Sequence, residues 1–332
     1  MAAKEKWLAG DVPGARAVLA DAFAANPDAE AVWLAAFKLE FESGEPDRAR
    51  AILAKARAHP PASTARVWMK SAAVERAAGD TAAEKALLDE AVKQFPAFDK
   101  LHLMAAQLAA RQGDVAGARA AYARGVSRCP SSAPLWINAA RLEEAAGAVA
   151  RARALLEQAR ARNPGDAPVW LASTRVEARA GNAAAAAALL ARGLQALPNS
   201  GSLWAEAIAS APRPARRSKS VDALKRCNDD PAVLAAVASL FAADHKGDKA
   251  RAWYARATKL APGVGDYWAS WYAFELAQGT PAAAASVLQA AVTAAPRHGE
   301  RWTKFSKEPA RAGAGVAELV PLVAADLKNP PP

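Results

Sequence analysis

Residues 136–170 read WINAARLEEAAGAVARARALLEQARARNPGDAPVW, a unit that opens on Trp136, carries Gly147 eleven positions later and Pro164 twenty-eight positions later, and ends where Trp170 opens the next. The same register runs along the chain. Its anchors are Trp33, Trp68, Trp136, Trp170, Trp204, Trp268 and Trp302, with His102 and Leu234 standing where a Trp is absent. Successive anchors lie 35, 34, 34, 34, 34, 30, 34 and 34 residues apart. Self-similarity at this period marks a helical repeat array. The glycine column (Gly44, Gly79, Gly113, Gly147, Gly181, Gly279, Gly313) suits a left-handed residue ending a first helix. The proline column (Pro61, Pro96, Pro130, Pro164, Pro198, Pro262, Pro296, Pro330) suits the stop of a second. Each unit is therefore expected to be a helix pair.

Within a unit, Trp33, Phe37 and Phe41 form a stripe of helical period that is expected to face the neighbouring helix. Twenty places after the anchor stands a large apolar residue: Leu53, Leu88, Tyr122, Leu156, Leu190, Leu224, Tyr254, Leu288 or Leu322. Three places later comes a small one: Ala56, Ala91, Gly125, Ala159, Gly193, Cys227, Ala257, Ala291 or Ala325. Such a column lets helix backbones approach closely. Two polar columns complete the unit, Glu40, Glu75, Glu143, Glu177 and Glu275 on the first helix and Arg50, Lys85, Arg119, Arg153 and Arg251 on the second. Because the spacing recurs, these charges read as a repeated ion pair holding each unit together. Carboxylates placed for acid–base catalysis would occur once.

A Trp opening the first helix, a Glu near its end and an Arg in the second resemble the half-a-TPR repeat of RNA-processing scaffolds, a relative of the tetratricopeptide repeat. The fold this implies is all-α, a right-handed α-α superhelix of about nine helix pairs. Residues 1–332 then form a single array, with a partial first repeat over residues 1–30. Counting back from Gly10 or Pro27 puts the expected first anchor upstream of Met1, so the chain reads as the C-terminal part of a longer protein.

Composition limits the alternatives. The 332 residues are 52% hydrophobic, but no apolar run approaches the roughly 18 residues of a membrane span. No signal peptide opens the chain, since Glu5 and Asp11 appear at once. The two cysteines, Cys129 and Cys227, have no CxxC spacing, which fits a reducing compartment. His59, His102, His245 and His298 fall in separate units. Gly263-Val264-Gly265 and Gly313-Ala314-Gly315 neither complete GxGxxG nor follow a strand. No catalytic residue, metal site, cofactor or small-molecule substrate is expected.

The one irregular unit lies between Trp204 and Leu234. Pro212 and Pro214 are expected to break the first helix and open a basic loop over residues 210–220, with the shortening placed after the second helix. Arg213, Arg216, Arg217, Lys219, Lys225 and Arg226 against a single Asp222 make this stretch strongly positive, within a chain of formal net charge +10. Clustered Lys and Arg offer a salt-dependent contact for phosphate or an acidic partner. The absence of aromatic residues argues against sequence-specific reading of RNA bases.

Three stretches narrow the resemblance. The run 217–227 with Asp230-Pro231, the run Gly265-Asp266-Tyr267-Trp268 with Phe274-Glu275-Leu276 and Gly279-Thr280, and the run 296–302 (PRHGERW) resemble the pre-mRNA-processing factor 6 family. What that resemblance implies is a nuclear, non-enzymatic scaffold of the spliceosome whose partners are other tri-snRNP proteins, with any RNA contact indirect or nonspecific. The alternative is an RNA-binding half-a-TPR protein that stabilises or processes a transcript, in an organelle for example.

Overall fold

The computed structural model describes residues 2–308, 311 and 313–328. Met1 and Pro330, used above to set the register, lie outside them. Among the described residues there are twenty helices and no strand. The pairs are α1 (Ala2–Leu8) and α2 (Val12–Ala25), α3 (Glu30–Glu42) and α4 (Pro46–Ala58), α5 (Ala65–Ala78) and α6 (Thr81–Gln94), α7 (Asp99–Arg111) and α8 (Val115–Arg128), α9 (Ala133–Ala145) and α10 (Val149–Arg162). They continue as α11 (Ala167–Arg179) and α12 (Ala183–Ala196), α13 (Gly201–Ser210) and α14 (Arg213–Arg226), α15 (Pro231–Ala243) and α16 (Gly247–Leu260), α17 (Gly265–Gln278) and α18 (Pro281–Ala294), α19 (Glu300–Ser306) and α20 (Val316–Lys328). The chain divides into two compact units, 1–155 and 156–332. The helix-pair register is the same in both.

Local chemistry sets the helix ends. The carboxylates of Asp11, Asp80 and Asp114 accept the backbone N–H three residues on at the starts of α2, α6 and α8, satisfying donors that a helix cannot satisfy itself. At the turn inside each pair, Gly44, Gly79, Gly113, Gly147 and Gly181 have φ between 74° and 80°, a region costly for other residues. His245 takes that place after α15, with φ 56°. Gly279 departs from its column, with φ −100°. A Cβ there would collide with the Glu275 carboxylate instead, so glycine is required for space and not for backbone sign.

Tryptophan and proline keep step because they are bonded. The indole N–H of Trp33, Trp136, Trp170, Trp204 and Trp268 donates to the carbonyl of Pro27, Pro130, Pro164, Pro198 and Pro262, at 2.8–3.0 Å. His102 Nε2 makes the same contact to the Pro96 carbonyl at 2.8 Å, which is why histidine can replace the anchor. In the unit spaced by 35, the link before α5 is longer and Trp68 donates to Ser63 Oγ. The small column packs on these anchors: a Cβ at Gly125 would press on His102 and Leu135, and one at Gly193 on Trp170. Ala325 is exposed, while Val323 and Ala324 are buried in its stead. Phe41 also departs from its stripe. It is 38% exposed, with its ring on Phe37, because it lies in the last turn of α3.

The ion-pair columns join consecutive units and do not close each unit on itself. Arg16 binds Glu40 at 2.7 and 2.8 Å, Arg50 binds Glu75, Arg119 binds Glu143 at 2.7 and 2.8 Å, and Arg251 binds Glu275. Each arginine is five residues into a second helix, and that helix packs against the first helix of the next unit. The pairing therefore reaches forward. Where Ala109 replaces the glutamate after Lys85, the polarity reverses: the buried Glu84 carboxylate on α6 accepts from Arg76 and from Arg111 of α7 at 2.8–3.0 Å.

Candidate interaction surface

The stretch expected as a basic loop is helix. Pro212 is the N-cap of α14 and Pro214 its second residue, positions where the missing N–H costs nothing. The shortening also lies elsewhere than expected. The link from α14 to α15 has the usual four residues, whereas α13 has ten residues in place of thirteen and only Ala211 and Pro212 join it to α14. α14 thus begins four residues early relative to its anchor. A shift of four turns an α-helix by only about 40°, so the sequence pattern hides it. The true members of the large and small columns are Ser220 and Ala223, both buried. Leu224 and Cys227, read into those columns, are a half-buried flank and the C-cap. Cys227 corresponds to Cys129, the C-cap of α8. Burial raises both thiols above their ordinary range, so neither is poised as a nucleophile.

The corrected register assigns a different meaning to the basic residues. Arg217 is the fifth residue of α14, the position held by Arg16, Arg50, Arg119 and Arg251 in their helices. Its partner position, the eleventh of α15, is Phe241, which stacks on Trp253. Arg217 is therefore a column arginine without its glutamate, exposed, and it forms no salt bridge among the described residues. Arg216 is not free: its Nε donates to the Ala211 carbonyl at 2.8 Å and closes the end of α13. Arg213, Lys219, Lys225 and Arg226 are exposed, while α14 buries Ser220 and Ala223 and its C-cap Cys227. Lys225 and Arg226 suit the negative end of the helix dipole. Arg213 and Arg217 sit near its positive end, with no acid in the first turn, which the fold does not favour.

Two of the runs that carried the family resemblance, 265–268 and 296–302, meet in space. Gly265 lies against the Trp302 ring, where a Cβ would collide. Asp266 accepts from the backbone N–H of Trp302 at 2.7 Å and of Arg301 at 3.1 Å, capping α19 from another unit. Gly265 N–H donates to the His298 carbonyl at 2.8 Å, and Arg297 and His298 N–H both donate to Gly263 at 2.9 Å. The Gly263-Val264-Gly265 turn is thus knitted to the 296–299 turn. Asp230 caps α15 and lies against Gly201. Sequence reasoning missed one long link: Arg175 of α11 binds both Glu206 and, 125 residues away, Glu300 of α19 at 2.7 Å. Nothing in the repeat pattern points to it.

Among the described residues there is no group of three His, Cys, Asp or Glu side chains that could hold a metal ion, and no helix is long and apolar enough to cross a membrane. Of the histidines, His102 serves as an anchor and His59 Nε2 lies 2.6 Å from Asp28. The arrangement is one of packing, capping and interfacial charge.

Comparison with known proteins agrees with this architecture. Models described as tetratricopeptide repeat match residues 6–74, 99–142 and 143–211. Protein STABILIZED1 of Arabidopsis thaliana is 65% identical over 263 residues, covering 79% of this chain and 25% of that protein. Pre-mRNA-processing factor 6 of Homo sapiens is 48% identical over 117 residues, 35% of this chain and 12% of that protein. Pre-mRNA-splicing factor prp1 of Schizosaccharomyces pombe is 38% identical over 93 residues, 28% of this chain and 10% of that protein. The chain spans a quarter or less of the length of these curated relatives. It belongs to the tetratricopeptide-repeat family, as a homologue of the proteins named pre-mRNA-processing factor 6.

Proposed function

We propose that the chain acts as one non-enzymatic scaffold array in pre-mRNA splicing, in the nucleus, bridging protein components of the spliceosomal tri-snRNP. The observation that carries this reading is the 65% identity to STABILIZED1 over most of the chain, together with the homology to proteins named for pre-mRNA processing and splicing. The chemistry supports it. Repeat arrays offer extended surfaces, and the polar groups that recur from repeat to repeat here stitch the repeats together. The contact surface is α14, where Arg213, Arg217, Lys219, Lys225 and Arg226 project without carboxylate partners among the described residues. An acidic protein surface would supply them. Tagged protein recovered from nuclear extract should bring splicing proteins and small nuclear RNAs with it; recovery of neither contradicts the proposal.

The same unpaired cations favour a second reading, direct binding of RNA phosphate. Each phosphate neutralised on binding releases counterions and steepens the dependence of affinity on ionic strength. Purified protein titrated with single-stranded RNA would then show a steep salt slope that flattens when Arg217, Lys219 and Arg226 are changed to Glu. A salt-independent or absent affinity leaves the protein-contact reading standing alone.

A further inference from the structure

A cavity of about 280 Å³ opens between α4 and α5. Leu53, Ala54 and Val74 form apolar walls, and Arg50, Arg57 and Glu75 supply its charge. The two arginines differ. Arg50 is fully engaged, by Glu75 of the next unit and by Asp47 of its own helix. Arg57 is half-buried, with its guanidinium 5.5 Å from the centre of the Trp68 ring. Among the described residues it has no hydrogen-bond acceptor. Burial pushes it down from the ordinary arginine range, and the nearby Glu75 only partly opposes this.

The repeat shows that the fold does not ask for this charge. Arg57 is the twelfth residue of its helix, and the same position in other second helices is Val92, Val126, Leu194, Leu224 or Val292, with Thr258 as the polar exception. Apolar residues meet the structural need. Arg160 is the one other arginine there, also over the next anchor ring, Trp170, but it donates to Ser173 Oγ at 2.6 Å. Ser71 and Ser173 both donate to the carbonyl four residues back, but only Ser173 also accepts from the arginine of the preceding helix. Arg57 differs from Arg160 in having a cavity before it and no hydrogen-bond acceptor among the described residues.

We infer that this cavity is a docking site for the carboxylate side chain of a Glu or Asp in a partner protein, held by Arg57 over Trp68. It deepens the scaffold reading, since it rests on the chain binding proteins, and places a specific contact in residues 50–75, apart from α14. The residues lining the cavity carry two guanidinium charges and one carboxylate, a net of +1, which suits a monoanion. A phosphate would bring a second negative charge against Glu75 and Asp47. The apolar walls accommodate the methylenes of an acidic side chain, and a half-buried arginine offers a carboxylate a charge-assisted, bidentate hydrogen bond.

The test uses the full chain and a labelled twelve-residue peptide of alternating Glu and Leu with blocked ends, its Gln counterpart, and oligouridylate of the same length. Arg57→Leu copies what other units carry, so its Tm should equal or exceed that of the parent. The Glu peptide should bind the parent at least tenfold more tightly than it binds R57L, and the Gln peptide should not distinguish them. An R217E variant should still show the Arg57-dependent difference. Equal binding of the Glu peptide to parent and R57L overturns the proposal, as does a lowered Tm of R57L, which would make Arg57 structural. Oligouridylate affinity that depends on Arg57 overturns it in favour of RNA. Failure of splicing proteins to co-purify would remove the splicing assignment and leave this binding difference untouched.

Discussion

The Trp–Pro bond separates two roles of one side chain, bulk and donor. Trp136 is 5% exposed and its N–H donates to Pro130 at 2.9 Å. Trp136→Ala should destabilise by roughly 3–5 kcal/mol. Trp136→Phe keeps most of the volume and removes the indole hydrogen bond, so about 1 kcal/mol is expected; chemical denaturation of both variants measures the split. Glycines divide in a similar way. Gly113, at φ 77°, has open space where a Cβ would go, so G113A should cost about 1–2 kcal/mol through backbone strain alone. G279A should cost about 1–3 kcal/mol through crowding of Glu275, and should also weaken the Arg251–Glu275 pair. The glycine column was legible in the sequence, but its two causes were not, because φ and free space leave the same letter.

Between helices, the ion pairs act as stitches from one unit to the next. Their direction was not legible: Glu and Arg columns fix spacing, and only packing decides whether an arginine reaches back or forward. Glu84 is the most buried of these carboxylates, 1% exposed with two arginines on it. Glu84→Gln removes the charge that both share; the Arg76 and Arg111 side chains are 21% and 35% exposed, although Arg76 Nη2 is itself buried without an acceptor, so the cost should be roughly 1–3 kcal/mol, below that of a fully buried pair. The Glu40 and Glu143 carboxyls lie below the ordinary glutamate range, held there chiefly by hydrogen bonds from Arg16 and Arg119. With a folded pKa below the unfolded one, each contributes stability above the unfolded pKa and loses it as pH falls through the folded pKa. Melting temperature should therefore drop on acidification below the ordinary glutamate range, and E40Q together with E143Q should flatten that drop. An unchanged pH profile in the double variant contradicts this account.

Across the chain, the repeat was readable because every unit solves the same packing problem with the same residues. The lapse was readable only as a lapse. A four-residue deletion leaves a helix facing the same way, so Leu224 and Cys227 imitated columns that Ser220 and Ala223 occupy, and the prolines that signal a loop instead start α14 early. The basic residues were found, but their meaning came from the corrected register: Arg217 is a stitch whose glutamate has become Phe241. The central claim is that α14 offers its unpaired cations to an acidic splicing partner. Site-specific photo-crosslinking in nuclear extract tests it most directly, with the crosslinker at Val221, exposed on α14 between Arg217 and Lys225, and at Lys4 of α1 as a control. The account predicts crosslinks to splicing proteins from position 221, in excess over position 4 and lost when Arg217 and Lys225 are changed to Glu. Crosslinks from position 221 only to RNA, or to no splicing protein at all, would contradict it.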